Sequence, residues 1–328
     1  MLKASVIVPA FNAEKTIKDC ITALTEQSFN KDDYEIIVVD DGSTDKTAEI
    51  IQTLPVKYIS KPNGGPASAR NLGAKEAKGE IILFTDSDCV ATPEWLAEML
   101  KPFSDLTVKA VKGVYRTPLK SLTARFAQIE FEERYEMLKK APSIDMIDTY
   151  SAAFRKDVFE HVGGFDESFP VANNEDTELS YKLSSMGLKM VFNPDAIVNH
   201  LGHPDSVLRY AKLKFWRGYW RMAVYKRFPG KMVKDTYTPQ TLKVQILALF
   251  GTLFSLPLIP LFWHTYLDMP AVFVALVSFF GFLAVTLPFM LFSLKRDMLV
   301  GLLSPLFIAL RAASIGTGVL YYAFKHLP

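Results

Sequence analysis

Asp86-Ser87-Asp88 follows the apolar run of residues 81–84, so carboxylates are presented where a buried-type strand ends. A hard divalent cation, Mg2+ or Mn2+, could bridge such a carboxylate to phosphate oxygens, the minimum needed to activate a diphosphate leaving group. A solvated turn accounts for the same residues, since Asp and Ser are common turn formers. Asp40-Asp41-Gly42-Ser43 ends another run; it is either a tight turn capping the helix from Thr44 or an acceptor of hydrogen bonds from a nucleobase or ribose. Arg70, after the Asn63-Gly64-Gly65-Pro66 turn, carries a guanidinium suited to a phosphate or base, or is a surface arginine. Asn174-Glu175-Asp176 opens a helix, where its carboxylates answer the helix dipole or one deprotonates an acceptor hydroxyl as general base. His200 and His203 close this region, either as structural residues or as a nitrogen ligand to the cation.

The elements that must position these groups are legible in the alternation of short β-branched runs with helix-period segments. Residues 6–8, 36–39, 56–59 and 81–84 read as strands, and 13–27, 44–53 and 67–77 as crossover helices, which predicts an α/β fold with a mostly parallel sheet. Ile17, Cys20, Ile21 and Leu24 share one face of the first helix, with Asn12 available as its N-cap. Thr92-Pro93-Glu94 reads as the opening of a helix to Met99. In open α/β sheets ligands sit beyond the carboxyl ends of strands, and three such ends carry Asn12, Asp40-Asp41 and Asp86-Ser87-Asp88. No G-x-G-x-x-G follows the first strand and no Walker A sequence occurs, which argues against a dinucleotide dehydrogenase or a P-loop phosphotransferase.

With 328 residues, 49% hydrophobic and 22% charged, the chain excludes a disordered or disulfide-stapled class. A net charge of +2 argues against nucleic acid as partner. Two cysteines, Cys20 and Cys89, fit a reducing compartment, and the opening residues lack the apolar core of a signal peptide, so a cytosolic catalytic domain is expected.

The average hides two regions. Between residues 206 and 234 there are nine Lys or Arg and no acid, interleaved with Phe215, Trp216, Tyr219, Trp220, Tyr225 and Phe228. That mixture suits a helix on an anionic leaflet, with Arg217 and Arg221 as candidate contacts to a lipid headgroup or acceptor, or a plain membrane anchor. Apolar stretches follow at 244–263, 270–294 and 298–324, each long enough for a ~30 Å hydrocarbon core. Lys295-Arg296-Asp297 places the loop between the last two on the cytosolic side. Arg311 falls mid-stretch, where a charge costs at least ~2.5 kcal/mol unless paired or hydrated, so two or three stretches cross. Ala309, Ala312, Ala313 and Gly316 have a spacing that permits close helix packing, including self-association.

Taken together, the segments 6–12, 39–45, 64–73, 85–88, 153–155, 163–167 and 175–176 resemble the family 2 glycosyltransferases in type and order. The resemblance covers about residues 4–203 and implies an inverting GT-A domain, Rossmann-like, acting on a nucleotide-diphospho-sugar. It implies Asp41 and Asp40, with Pro9, Phe11, Asn12, Arg70, Asp86 and Ser87, on the nucleotide-sugar, and Asp88, Asp86 and His200 on Mn2+ or Mg2+. It further implies Asp176, with Glu175, in catalysis. The expected layout is a catalytic domain over 1–205 (nucleotide-sugar half 1–115, acceptor half 116–205), a basic interfacial segment 206–240 and a membrane domain 241–328. The Q-x-x-R-W sequence of processive synthases is absent, although Arg217-Gly218-Tyr219-Trp220-Arg221 lies at a similar distance beyond Asp176. Single-sugar transfer to a lipid-linked or membrane-proximal acceptor at the inner membrane is therefore expected, with UDP as the default donor base. A catalytically silent sugar-nucleotide-binding scaffold and a processive synthase are the alternatives.

Overall fold

The computed structural model describes residues 2–169, 173–261 and 268–326. Two compact units emerge, Met1–Leu119 with Tyr135–His203, and Lys120–Arg134 with Pro204–Pro328.

The first unit is built on eight strands: β1 (Ala4–Ala10), β2 (Tyr34–Asp40), β3 (Lys57–Ser60), β4 (Ile81–Phe84), β5 (Cys89–Ala91), β6 (Val108–Arg116), β7 (Ala152–Arg155) and β8 (Lys189–His200). They form one sheet in the order β3-β2-β1-β4-β7-β6-β8-β5. The sheet is mixed: β1 pairs in parallel with β2 and β4, whereas β7 runs antiparallel between β4 and β6, and β6 pairs in parallel with β8. Two reversals restore the direction, so the carboxyl ends of β1, β2, β4 and β8 all open on one edge. Ile7, Val8, Ile37, Val38, Leu83 and Phe84 have no solvent exposure, which is why these runs read as continuously apolar.

Helices α1 (Ile17–Thr25), α2 (Thr47–Gln52), α3 (Pro66–Glu76) and α4 (Trp95–Leu100) connect the early strands; α5 (Leu122–Leu138) follows β6, and α6 (Lys156–His161) and α7 (Glu175–Ser185) precede β8. Asn12 is not the cap of α1, whose N-cap is Thr16. Instead Asn12 takes φ 49° and its Oδ1 accepts from the Thr44 backbone N–H at 2.9 Å, tying the end of β1 to the loop after β2.

The second unit contains the first part of α5 and helices α8 (Val207–Arg227), α9 (Pro229–Val233), α10 (Gln240–Ser255), α11 (Leu258–Leu261), α12 (Asp268–Leu294) and α13 (Met298–Lys325). Within this unit Phe126, Ala127 and Ile129 of α5, from the stretch expected to belong to the acceptor half 116–205, share a core with Tyr210, Phe289, Phe307 and Ile308. α8, from the basic segment 206–240, lays one face on α13, where Gly218 meets the Ile315 carbonyl and Gly318 the Phe215 carbonyl, leaving no room for a Cβ. The stretches Gln240–Leu261, Met269–Leu294 and Met298–Lys325 are long and apolar enough to cross a membrane. Residues 262 and 263 of the first expected stretch lie outside the described residues.

Arg311 is 2% exposed and donates to Glu130 Oε1 and Gln245 Oε1, each at 2.7 Å, which supplies the partner its position demands. Glu130 also accepts from Tyr210 and Lys214, at 2.7 and 2.9 Å. Burial alone would push Glu130 up, yet Lys214, Arg311 and Arg134 hold it well below the usual carboxylate range.

Candidate active site

The polar ends of β1, β2, β4 and β8 converge on one edge, and the register sets which side chains meet. β5 pairs antiparallel with β8 so that Cys89 stands opposite His200, which brings His200 beside the Asp86-Ser87-Asp88 turn. Ligand atoms of Asp86, Asp88, Cys89 and His200 lie within 4.8 Å of one another. His200 Nε2 is 3.7 Å from Asp88 Oδ1, too far for a hydrogen bond, and its buried Nδ1 has no partner among the described residues. Two carboxylates and an imidazole nitrogen form a donor set that fits a divalent cation.

Electrostatics agrees with that fit. Burial pushes the Asp88 carboxyl above its usual range, His200 opposes the shift and Asp86 adds to it. Two acids crowded together favour a cation between them. Burial, with help from Asp86 and Asp88, also pushes the Cys20 and Cys89 thiols up. Gly202 packs against Asp88 Oδ2 with no space for a Cβ, and the Leu201 N–H donates to the Asp88 carbonyl at 2.8 Å, so the segment after β8 holds this turn.

Arg70 links the turn to α7. Its guanidinium is 3% exposed and donates to Asp86 Oδ1 and Glu175 Oε1, each at 2.8 Å. Although burial works against its charge, Asp86 and Glu175 keep it firmly protonated. Arg70 therefore joins two carboxylates of the chain itself. Glu175, 2% exposed, is committed to Arg70 by one oxygen, while its Oε2 has no partner among the described residues. Asp176, next in sequence, is half-buried; its Oδ1 accepts from the Thr177 N–H at 2.7 Å.

Asp40 and Asp41 are both buried. Asp40 accepts from the Ser43 N–H and the Tyr58 hydroxyl, at 2.9 and 3.1 Å. Asp41 accepts from Lys61 Nζ at 2.5 Å and from the Gly64 and Gly65 N–H groups at 2.9 and 2.8 Å. Both carboxylates thus shape the loops at this edge. Pro9 sits within β1, Phe11 is exposed just past its end, and Ser87 is half-buried between the two turn acids. Arg217 and Arg221 belong to α8 of the second unit.

Sequence reasoning missed Lys61, Cys89 and Asn71. Asn71 exchanges hydrogen bonds with the Phe165 N–H and carbonyl, at 2.9 Å each, and so fixes the Gly163-Gly164-Phe165 turn. Its place beside Arg70 was the available signal.

Residues 5–163 match Glycosyl transferase family 2. Glycosyltransferase AglE of Haloferax volcanii is 27% identical over 220 residues, covering 65% of this chain and 72% of that protein. Probable glycosyltransferase YdaM of Bacillus subtilis is 34% identical over 217 residues, covering 60% of this chain but only half of that protein. In fold, the chain is similar to the mannosyltransferase PcManGT from Pyrobaculum calidifontis, solved in complex with GDP-Man and Mn2+, with a TM-score of 0.61 and 19% identity over 99% of this chain and 88% of that one.

Proposed function

We propose that the chain, whose residues 5–163 match Glycosyl transferase family 2, is a glycosyltransferase of nucleotide-sugar donors that transfers a single sugar, with inversion, to a lipid-linked or membrane-proximal acceptor. The observation that carries the reading is the Arg70 fork, which joins a cation-side carboxylate, Asp86, to Glu175, the neighbour of the proposed base.

Asp86, Asp88 and His200 would hold Mn2+ or Mg2+, which when bound supplies positive charge to the departing diphosphate. The remaining steps belong to the chain. Asp176 takes the proton of an acceptor hydroxyl, and one displacement at the anomeric carbon inverts its configuration. Arg70 and Glu175 fix the start of α7 and so the position of Asp176. Asp40, Asp41 and Asn12 build the loops proposed to receive the nucleoside, with Pro9, Phe11 and Ser87 beside them. PcManGT, with GDP-Man and Mn2+, supports a nucleotide-diphosphate donor with a divalent cation. The three apolar helices would keep the chain at a bilayer, the catalytic domain on its cytosolic face, where a polyprenyl phosphate or glycolipid acceptor resides. Arg217 and Arg221 are proposed to meet lipid headgroups.

The test uses the purified full chain with a panel of UDP- and GDP-sugars, Mn2+ or Mg2+, and mixed lipid acceptors. One-sugar products and stoichiometric nucleoside diphosphate support the proposal. Product ladders would identify a processive synthase, and donor binding without release a silent scaffold.

A further inference from the structure

α13 carries a charge near its midpoint, and the depth of that charge decides how the helix meets a bilayer. Arg311 donates to Gln245 Oε1 at 2.7 Å, and Gln245 Nε2 donates to the Val285 carbonyl at 3.2 Å. Gln245 stands in the first two turns of α10, two residues after Lys243, where the apolar run begins. Deeper in the helix Gly251 packs against Ser278, so α10 and α12 run antiparallel, as a hairpin that crosses and returns. Arg311 is therefore level with the entrance of that hairpin and not with its middle. Before Arg311, α13 runs beside α5: the Phe126 and Phe307 rings stack with centroids 4.7 Å apart, Arg125 donates to Asp297 at 2.7 Å and Arg296 to Glu132 at 3.0 Å. The Arg125 and Glu132 side chains are 37% and 36% exposed, and such charges belong in water or among headgroups. After Arg311, the fourteen residues to Lys325 rise about 21 Å, short of a ~30 Å hydrocarbon core. They lie along α8, from the paired glycine contacts to the Tyr219 ring, 5.7 and 5.3 Å from those of Tyr321 and Tyr322. α8 holds seven Lys or Arg and no acid, so it cannot accompany α13 across a bilayer without taking Lys212, Arg217 and Arg221 into hydrocarbon.

We propose that α13 does not cross the bilayer: its second half lies with α8 in one leaflet, as a paired lipid-facing surface, and the hairpin of α10 and α12 alone spans. The proposal rests on the reading of the apolar helices as a membrane anchor and adds which of them cross. Leu320, Tyr321 and Phe324 of α13, 50%, 43% and 75% exposed, supply the apolar contact with acyl chains. The Lys and Arg side chains of α8 meet headgroups, and the rings of Trp216, Tyr219 and Tyr321 occupy the level between the two. Lys325 then stays on the side from which α8 starts.

Cysteine labelling of the full chain in sealed vesicles of phosphatidylethanolamine and phosphatidylglycerol reads this topology without reference to turnover. The vesicles are selected so that Asp205→Cys, at the start of α8, reacts with a membrane-impermeant maleimide added outside. Lys325→Cys and His326→Cys should then react to the same extent, whereas Met269→Cys, at the far end of the hairpin, should react only after detergent. The parent chain, whose Cys20 and Cys89 are both buried, supplies the background. All four reporter positions are exposed, and the two neighbours at the end of α13 serve as replacements for each other if one variant fails to fold. Reaction at 325 and 326 only after detergent overturns the proposal and makes α13 a third crossing. Reaction of Met269→Cys in intact vesicles overturns the spanning hairpin. Release of the unsubstituted chain by an alkaline wash overturns the membrane reading itself, wherever α13 lies.

Discussion

Arginine and carboxylate meet in both units of this chain, with opposite balance. At the sheet edge one guanidinium, Arg70, faces Asp86 and Glu175, and further acids remain: the side chains of Asp86 and Asp88 are 29% and 30% exposed. In the helical unit the carboxylate of Glu130 faces Lys214, Arg311 and Arg134, with Glu133 near the two arginines, and the side chains of Glu130, Lys214 and Arg311 are 0%, 3% and 2% exposed. An excess of half-open acids offers a donor set that suits a cation. A carboxylate saturated by buried cations is a fastener, since removing either side strands an uncompensated charge.

The contrast is broken most directly by neutralising Glu130 in one unit and, in the other, Asp176, the neighbour of Glu175 in sequence. Asp176→Asn should lower turnover about 10²–10⁴-fold, the range for a lost general base, with thermal unfolding and donor binding little changed. A loss below tenfold would mean that the acceptor nucleophile is already ionised, as in a phosphate. Glu130→Gln should do the reverse and cost about 3–5 kcal/mol of stability, read as a fall in the unfolding temperature in detergent micelles. Glu136→Gln, which breaks the exposed pair with Lys139, is the control and should cost at most ~1 kcal/mol. If the two variants melt alike, the Glu130 cluster is hydrated and the comparison fails.

The first cluster was far more legible in the sequence than the second. Strand ends declare themselves through local pattern: residues 81–84 are fully buried in β4, and the acids after them have few other places to stand. Glu130 and Arg311 are 181 residues apart, and no local pattern pairs them. Glu130 sits in a mixed-charge helix that reads like a solvated one, while Arg311 announced only that it needed a partner. Asn12 escaped for a related reason: its positive φ and its bond to Thr44 are properties of two loops meeting, whereas capping propensity is a property of one residue. Arg70 was singled out for its chemistry, but only the fold shows that both terminal nitrogens face the chain's own carboxylates.

Arg70→Lys sharpens what the sheet-edge arginine does. Lysine keeps the charge but lacks a planar fork that reaches Asp86 and Glu175 together. If Arg70 positions the acids on either side, kcat should fall by up to about 100-fold, the scale of a small misplacement, with a smaller change in donor KM. An unchanged kcat would reduce Arg70 to charge balance, which is the role assigned to its counterpart in the helical unit.

The smallest effect concerns the surplus of cations around Glu130. Burial pushes the Lys214 ammonium down to about 7, with Arg134, Arg217 and Arg311 adding to the shift against the pull of Glu130. Between that value and the ordinary 10.5, the unfolded chain binds a proton that the folded chain does not, so stability must rise with pH across this window. Glu130 is held far below the window and Tyr210 is pushed above its ordinary value, so Lys214 dominates the slope within the cluster. The unfolding temperature in micelles should therefore climb from pH 7 towards pH 9, and Lys214→Met should flatten that climb. A flat wild-type profile would mean that Glu130 keeps Lys214 charged, making the cluster a balanced ion pair and weakening the contrast with the sheet edge.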